Sequence, residues 1–546
     1  MDEARGCSQE DTDRMTTESV PTTSARTRWL GLIAIALSVS LIVVDGTIVA
    51  VAMPSIVTDL GLSSSQLQWV QESYTLMFAS MLLVFGAIAD RFGRRRLLVL
   101  GLILFAIASI GISLSTDGNV MIAWRVLQGI GGAMILPTTL SLINANFTGR
   151  DRAIAFAVWG GMIGGMSALG PLLGGWLTTA FSWHWAFLIN PPLVLLVIAA
   201  VLAWVPETRS ERGGRLDLVG AGISTVAMAG LVFGLIEGRT YGWWMLERPF
   251  SMFGLDWTFA LSPVPIAFAV AALALTLFLA RSVRRTRAGK PNLLTLSLFG
   301  IPSFRNGNVV AMLVSLGEFG IILTLPLWLQ NVLGYDALQA GLALLPLAIG
   351  SFIASGAVTS LSQRMPAVAI VRLGLALEIA GLLVVALSVG TETPWWPITI
   401  GLGLYGVGVG FATAQLTGTI LADVPRELSG EASGTQSTAR QLGSALGIAI
   451  LGSLLFGLTG TNLSNALTDH GVPPEQATPI VQSVTDSAGA VIPSLEQRAP
   501  DDYAAATEAF AAGTRAAAFA SVGALTIALI ATSSLGNISR TSARKR

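Results

Sequence analysis

The chain has few of the residues on which soluble enzymes and disulfide-stapled proteins depend. Only 12% of its 546 residues are charged, whereas soluble globular proteins carry about 25%. Cys7 is the single cysteine, so an intramolecular disulfide is excluded. The two histidines, His184 and His470, are too few for a haem pair or a histidine-rich metal site. Basic and acidic residues balance at 32 each, which leaves no global charge that would favour nucleic acid.

Long apolar runs dominate what is present. Hydrophobic residues make up 53% of the chain, and the mean hydropathy is +0.69. A membrane-spanning helix needs about 20 apolar residues, and fourteen runs satisfy this length. They are 29–51, 67–89, 97–115, 119–143, 153–178, 186–205, 216–236, 258–280, 306–331, 338–360, 368–389, 394–418, 439–458 and 513–535. The first run is too long for a cleavable signal peptide and lies behind a polar leader, residues 1–28. The sequence predicts fourteen transmembrane helices.

The placement of basic residues tests this count. If the N-terminus is cytoplasmic, the inner segments hold 25 of the 32 lysines and arginines, the outer segments hold three, and four lie within the spans. Basic residues concentrate on the cytoplasmic side of membrane proteins. The bias therefore predicts that both termini are cytoplasmic. It also makes the segment 281–305 a basic cytoplasmic linker, which either contacts anionic headgroups or acts only as a topological anchor.

Several charged residues lie where lipid is expected. Asp45 in span 1 and Arg125 in span 4 are both roughly 9 Å below the outer surface at about 1.5 Å per residue, so the two side chains can meet. Glu318 in span 9 and Glu378 in span 11 have no basic residue within one helical turn. Charge at this depth is costly and usually faces a cavity or a partner.

Each of these residues has a functional and a structural interpretation. A buried carboxyl group that gains and loses a proton suits proton transport, and we assign proton or substrate binding to Asp45, Arg125, Glu318, Glu378 and Glu72, the last lying near the interface. The structural alternatives are a static Asp45–Arg125 ion pair and protonated glutamic acids hydrogen-bonded between helices. For Glu378 the functional interpretation is weaker, because Arg372 lies six residues earlier and can snorkel inward.

The turn between spans 2 and 3 has an ordered motif. It reads Gly86-Ala-Ile-Ala-Asp90-Arg91-Phe-Gly93-Arg94-Arg95-Arg96. Gly86 permits close helix approach, Gly93 permits a tight turn, and Asp90 can brace a neighbouring helix N-terminus or an arginine. We assign a conformational role to Gly86, Asp90, Arg91, Gly93 and Arg94.

With this motif the sequence resembles the major facilitator superfamily, and further motifs resemble its branch of 14-span drug:proton antiporters. Span 1 has an acidic motif from Asp45 to Pro54, and span 4 has the segment Arg125-Val-Leu-Gln128-Gly129-Ile-Gly131-Gly132. Span 5 ends in Gly170-Pro171-Leu-Leu-Gly174-Gly175, similar to the motif of exporters. Asn190-Pro191 and Arg440-Gln441-Leu-Gly443 also fit the branch. Met166 stands where the span 5 pattern usually has glycine, and Glu318 is outside the common pattern.

The resemblance implies an all-α integral membrane protein with two six-helix bundles that alternate between inward- and outward-open states. We expect a disordered cytoplasmic leader (1–28), an N-terminal bundle (29–205), two inserted spans (206–280) and the basic linker (281–305). A C-terminal bundle (306–535) that includes an outer loop (459–512) and a cytoplasmic tail (536–546) complete the chain.

The function that these features favour is proton-coupled export of amphiphilic, cationic drugs or antibiotics across the bacterial cytoplasmic membrane. We expect a monomer in the lipid bilayer that binds protons and a small substrate, uses the proton gradient without a cofactor, and binds neither metal nor nucleic acid. No nucleophile–base pair or phosphate-binding loop indicates an enzyme. A proton-coupled importer of the same fold and a non-transporting membrane sensor are the alternatives.

Overall fold

The computed structural model describes residues 24–62, 64–209, 217–252, 255–290 and 292–535. The predicted tail and all but the last five residues of the leader lie outside this part. The α-helices are α1 (Ala25–Leu60), α2 (Ser64–Phe92), α3 (Arg94–Ser113), α4 (Gly118–Asn146), α5 (Gly149–Ala180), α6 (Trp185–Leu188), α7 (Asn190–Trp204), α8 (Leu218–Tyr241), α9 (Pro263–Arg287), α10 (Pro302–Asn331), α11 (Ala337–Leu361), α12 (Ala367–Ser388), α13 (Trp395–Ile420), α14 (Ser429–Asp469), α15 (Pro474–Asp486), α16 (Ile492–Leu495) and α17 (Pro500–Ala531). Short 3-10 helices occupy Leu296–Gly300 and Arg426–Leu428.

Local sequence signals set several helix ends. The Asp117 side chain accepts hydrogen bonds from the backbone N–H groups of Asn119 and Val120 and so caps α4. Asp336 and Gln339 form a reciprocal capping box at the start of α11. These side chains satisfy backbone donors that have no partner inside the helix. Gly61 ends α1 with a left-handed backbone, at φ 60°, a conformation that costs glycine nothing.

The helices pack as two bundles with a hairpin between them in the chain. The N-terminal bundle comprises α1–α7, and the C-terminal bundle comprises α10–α14 with α17. Helices α8 and α9 pack against each other, and α8 also contacts α2 of one bundle and α14 of the other. We call α8 and α9 the inserted hairpin. The end of the molecule that carries residues 91–96, 150–152 and 281–290 is called the basic end.

Thirteen helices of the described residues are long and apolar enough to cross a membrane. The prediction of an all-α membrane protein is confirmed, with helices matching the predicted runs. The count of fourteen is not confirmed, because α5, which covers the predicted span 153–178, is not among the thirteen. Helices α6 and α7 together form one of these spans, Trp185–Trp204.

Two segments differ from the expected loops. The predicted outer loop 459–512 is mostly helical: α14 continues to Asp469, and α15, α16 and the start of α17 follow. The connection between α8 and α9 contains a two-stranded antiparallel pair, β1 (Ser251–Met252) and β2 (Leu255–Asp256). Spans 8 and 13 also have different starts, since α9 begins five residues after position 258 and α14 begins ten residues before position 439.

Candidate functional site

A buried polar cluster surrounds Asp45 in the N-terminal bundle. Arg125 Nη1 donates to Asp45 Oδ2 at 3.1 Å, and Gln128 Nε2 and Asn190 Nδ2 each donate to Asp45 Oδ1 at 2.8 Å. Both amides also donate to the Ser109 hydroxyl, at 3.0 and 3.2 Å. All five side chains are at most 2% exposed. The pairing of Asp45 with Arg125 that the depths predict is present, and the carboxylate is almost sealed from water.

Arg125 connects this cluster to α2. Its Nε donates to the Val70 carbonyl at 3.0 Å, and its guanidinium lies over the Tyr74 ring, with Cζ 4.4 Å from the centroid. Nη1 also donates to Gln128 Oε1 at 2.6 Å. A buried guanidinium needs this many acceptors because removing it from water is costly. Side chains or backbone of α1, α2, α3, α4 and α7 therefore belong to one connected cluster, in which α4 and α7 contact the carboxylate directly.

Sequence reasoning missed Gln128, Asn190 and Ser109 as partners of Asp45. Gln128 and Asn190 stand inside motifs that the sequence analysis quotes, but a motif does not give the rotation of a helix. A usable signal was spacing, because Gln128 follows Arg125 by three residues and so lies on the same helix face. Ser109 gave no comparable signal.

A second polar cluster surrounds Glu318 in the C-terminal bundle. Arg440 Nη2 of α14 lies 3.8 Å from Glu318 Oε2, and the Thr413 hydroxyl of α13 donates to Oε1 at 3.3 Å. Glu318 is 4% exposed. No basic residue lies within one turn of Glu318 along its own helix, but Arg440 reaches it from α14. The pair is longer and has fewer hydrogen bonds than that of Asp45.

Glu378 of α12 is fully buried near this cluster. Both of its carboxyl oxygens are without a hydrogen-bond partner in the part of the chain that the structure describes. An ionised carboxylate in that position would be very costly, so the geometry favours the neutral acid. Arg372 does not pair with it: its guanidinium donates to the hydroxyl and the carbonyl of Thr532, at 3.0 and 3.1 Å.

Asp90 joins the two bundles at the basic end. Arg94 Nη2 donates to Asp90 Oδ1 at 2.6 Å, and both side chains are at most 5% exposed. The backbone N–H groups of Gly430 and Glu431 also donate to this carboxylate, at 2.8 and 3.0 Å. These N–H groups belong to the first turn of α14, where the helix dipole favours negative charge. Asp90 therefore caps a helix of the other bundle, and it meets both kinds of partner that the motif suggests.

The other members of the motif set the shape of this turn. A Cβ at Gly86 would lie 2.5 Å from the Gly430 carbonyl oxygen and 2.8 Å from the Gly434 Cα, so only glycine allows this approach of α2 to α14. Gly93 has φ 107°, a backbone conformation that favours glycine. Arg91 Nη2 donates to the Asn292 carbonyl at 3.0 Å.

The glycines of span 5 pack against the helix that carries Asp45. A Cβ at Gly170 would overlap the Thr47 side chain, and one at Gly174 would lie 3.0 Å from the Ile48 carbonyl oxygen. Gly175 is half-buried in the same helix, and the side chain of Pro171 lies outside the described part. Towards the basic end, α5 faces the other bundle, where a Cβ at Gly161 would overlap the Ser355 side chain of α11.

Glu72 has an acidic partner on the inserted hairpin. A hydrogen bond joins its side chain to that of Glu237 in α8. Glu237 lies one residue beyond the predicted end of span 7, which is why it escaped attention, but α8 continues to Tyr241. Among the described residues, no group of three or more His, Cys, Asp or Glu is arranged to hold a metal ion.

Comparisons with known proteins agree with this geometry. Residues 35–448 match the Major Facilitator Superfamily. The chain is 32% identical over 514 residues to the multidrug resistance protein Stp of Mycobacterium tuberculosis, covering 93% of this chain and 91% of that protein. It is 33% identical over 453 residues to a probable actinorhodin transporter of Streptomyces coelicolor, covering 81% of this chain and 75% of the relative.

The solved structure of the proton:xylose symporter XylE has the same fold, with a TM-score of 0.56 at 14% identity, covering 86% of this chain and 96% of the symporter. The family match spans most of the chain, and the helices around Asp45 and Asp90 place the residues of the family motifs in contact. The chain is a multi-pass membrane transporter, not an enzyme, and it belongs to the Major Facilitator Superfamily.

Proposed function

We propose that the protein is a proton-driven exporter of amphiphilic, cationic drugs or antibiotics. The observation that carries the proposal is the sealed Asp45 carboxylate of α1, held by one arginine and two amides from two other helices, α4 and α7. Relatives that are named as a multidrug resistance protein and a probable antibiotic transporter support drug export. We place the protein as a monomer in the bacterial cytoplasmic membrane, with the proton gradient as its energy source and no cofactor.

Proton and substrate would compete at Asp45. A cationic substrate that approaches the carboxylate replaces Arg125 as its counter-ion, whereas a proton neutralises the carboxylate and releases both. Such competition drives transport only if each ligand favours a different conformation. The carboxylate is suited to this role because α1, α4 and α7 all contribute to its hydrogen bonds, so a change of its charge alters the packing of several helices.

Contacts connect Asp45 to α2 and α5, two helices of the N-terminal bundle that pack against the C-terminal bundle. Arg125 binds the Val70 carbonyl of α2, and α2 approaches α14 at Gly86. Thr47 and Ile48 follow Asp45 in α1 and touch the glycines of α5, which packs against α11. A shift of α1 or of Arg125 can therefore reach the α2–α14 and α5–α11 contacts between the bundles.

The basic end is the cytoplasmic side if the bias in basic residues sets the topology. Asn144 and Ser429 form a further hydrogen bond between the bundles there, at 2.9 Å, next to the contacts of Asp90. We infer that this arrangement is the state closed to the cytoplasm. It is the state in which an exporter would release its substrate outside and take up a proton.

The Glu318 cluster would supply a second proton site. Each bundle would then have one site, Asp45 in the N-terminal bundle and Glu318 in the C-terminal bundle. Exchange of one proton for one monovalent cation moves no net charge and uses only the pH difference. Exchange of two protons for one cation also uses the membrane potential, about 2.3 kcal/mol per charge at 100 mV. The 3.8 Å separation of Glu318 from Arg440 leaves this carboxyl more open to exchange than Asp45.

Everted membrane vesicles with an acidified interior test the proposal with ethidium, a planar cation, as the probe. The wild type is expected to take up ethidium and to release protons from the interior as it does so. Glu318→Gln keeps the size of the side chain but cannot carry a proton, so ethidium-dependent proton release is expected to fall by half or more. Glu392→Gln, an exposed position in the same bundle, is the control and should behave as wild type.

The other outcomes separate the alternatives. Ethidium movement out of these vesicles under the same gradient would indicate an importer. If several cationic and neutral antibiotics all failed to move protons through the wild type, the protein would be a sensor and the proposal would be wrong. Unchanged proton release by Glu318→Gln would remove only the second proton site.

A further inference from the structure

The inserted hairpin has an acid pair at its contact with the N-terminal bundle. A side-chain hydrogen bond joins Glu237 of α8 to Glu72 of α2. Glu237 is 2% exposed, and its Oε2 has no hydrogen-bond partner in the described part of the protein. Two ionised carboxylates cannot donate a hydrogen bond to each other, so this contact requires a proton on one of them.

Glu237 has no basic partner among the side chains that the structure describes. Within the described residues, neither arginine nor lysine forms an ion pair with Glu237. Besides Glu72 and Glu237, the packed elements carry Tyr74, Asp90 and Arg91 on α2, Arg239 and Tyr241 on α8, Glu247, Arg248 and Asp256 in the connection between α8 and α9, Arg281, Arg284, Arg285 and Arg287 on α9, Glu431, Arg440 and Asp469 on α14, and Arg125 on the adjacent α4. Arg125 pairs with Asp45, Arg248 with Asp486, Arg281 and Arg285 with Asp217, and Arg440 lies against Glu318. The side chain of Arg239 lies outside the described part.

We propose that Glu72 and Glu237 hold one proton between them, and that this proton fastens the inserted hairpin to the N-terminal bundle. One helical turn away, Trp69 of α2 stacks on Phe233 of α8, with ring centroids 6.2 Å apart. The aromatic contact brings the two helices together regardless of pH, and the acid pair makes the strength of the contact depend on protons. With the proton bound the pair is attractive, and without it two negative charges repel in an apolar setting.

The position of the hairpin gives this proton a role in transport, and that part of the inference rests on the proposed function. Helix α8 also packs against α14 of the C-terminal bundle, where Leu442 contacts the apolar cluster that contains Ala227 of α8 and Ala274 of α9. The hairpin thus touches both α2 and α14, the helices that separate if the basic end opens. A protonated pair would keep the hairpin with the N-terminal bundle during that movement.

Cross-linking of the purified full chain, without substrate or gradient, tests the acid pair. In a Cys7→Ser background, Trp69→Cys and Phe233→Cys place one thiol on α2 and one on α8 for a short bismaleimide. The pair Ala227→Cys and Ala274→Cys, within the hairpin, corrects for the effect of pH on thiol reactivity itself. With native carboxyls, the corrected rate is expected to fall by about twofold between about pH 6 and about pH 10.

Glu237→Gln keeps a neutral hydrogen-bonding group at all pH values, so its corrected rate is expected to be flat. Glu247→Gln, in the connection between α8 and α9, is the matched control and should retain the fall. A flat rate with both native carboxyls, or an undiminished fall in Glu237→Gln, would overturn the proposal. If Glu237→Gln does not fold, Glu72→Gln replaces it, and the infrared absorption of protonated carboxyl groups should lose one component in either variant, while that of Glu378 remains. Failure of drug export would leave these readouts unchanged.

Discussion

Asp45→Asn is expected to abolish substrate-dependent proton movement, to the level of liposomes without protein. The asparagine can still accept hydrogen bonds from Gln128 and Asn190, but it cannot be ionised. Arg125 would then be a buried charge without its counter-ion, which costs about 3–5 kcal/mol of stability. Transport in sealed liposomes with an imposed pH difference and thermal unfolding in detergent measure the two effects.

A double variant separates the transport role from a static ion pair. Asp45→Asn combined with Arg125→Gln removes both charges, so most of the lost thermal stability should return. Transport should stay absent, because no titratable carboxyl is left in the cluster. Recovery of transport together with stability would mean that the pair only holds the bundle together. Asp59→Asn, on the same helix but exposed, controls for the loss of a carboxylate on α1.

Gly86→Ala is expected to open the basic end. The added Cβ would lie within 3 Å of backbone atoms of Gly430 and Gly434, and backbone cannot move aside as a flexible side chain can. Overpacking of this kind costs about 1–3 kcal/mol, which shifts a two-state equilibrium by about 5–150-fold. The shift should favour the open state, in which this contact is broken, and transport should fall.

The accessibility of a thiol at the α5–α11 contact between the bundles reports this opening. Ser355→Cys places it on α11 opposite Gly161, in a Cys7→Ser background. A membrane-impermeant maleimide applied to the cytoplasmic face should label this thiol faster in Gly86→Ala than in the parent. Gly457→Ala is the control, because a Cβ there would have no neighbour within 4 Å. Equal labelling of all three proteins would contradict the proposed closure.

The sequence predicts much of the fold because apolar length and charge bias act over whole helices. It also predicts the Asp45–Arg125 pair, since two charges at one depth in neighbouring spans have few other partners. Helix rotation is not available from one sequence, so the amides that complete the cluster were missed. The partners of Asp90 were easier to predict than those of Asp45, because the motif places Asp90 at a helix end and an arginine four residues later.

The sequence analysis did not find Arg440 as the partner of Glu318 or Glu237 as the partner of Glu72. Both partners were missed because a helix end was predicted at the wrong residue. The predicted span 13 starts at 439, which puts Arg440 at its boundary, whereas α14 starts at Ser429 and places Arg440 about 16 Å along the helix. Its polar first turns, Ser429 to Arg440, conceal this start because they contact other helices instead of lipid. Likewise Glu237 falls just outside an apolar run. Polar residues at the ends of spans are therefore where the sequence is least informative about depth.

The cap that Asp90 places on α14 has a consequence for how the chain can vary. The carboxylate oxygens of Asp90 accept hydrogen bonds from main-chain N–H groups, which nearly every residue type provides. Most substitutions at position 431 therefore leave its N–H donor intact. Position 430 is different, because a side chain there would collide with Gly86. Conversely, if the Asp90 carboxylate is lost, no exchange of side chains on α14 can restore the hydrogen bonds that it accepts from the main-chain N–H groups of residues 430 and 431. Suppressor mutations that rescue a defect at position 90 should therefore map to other parts of the molecule that rebalance the two conformations.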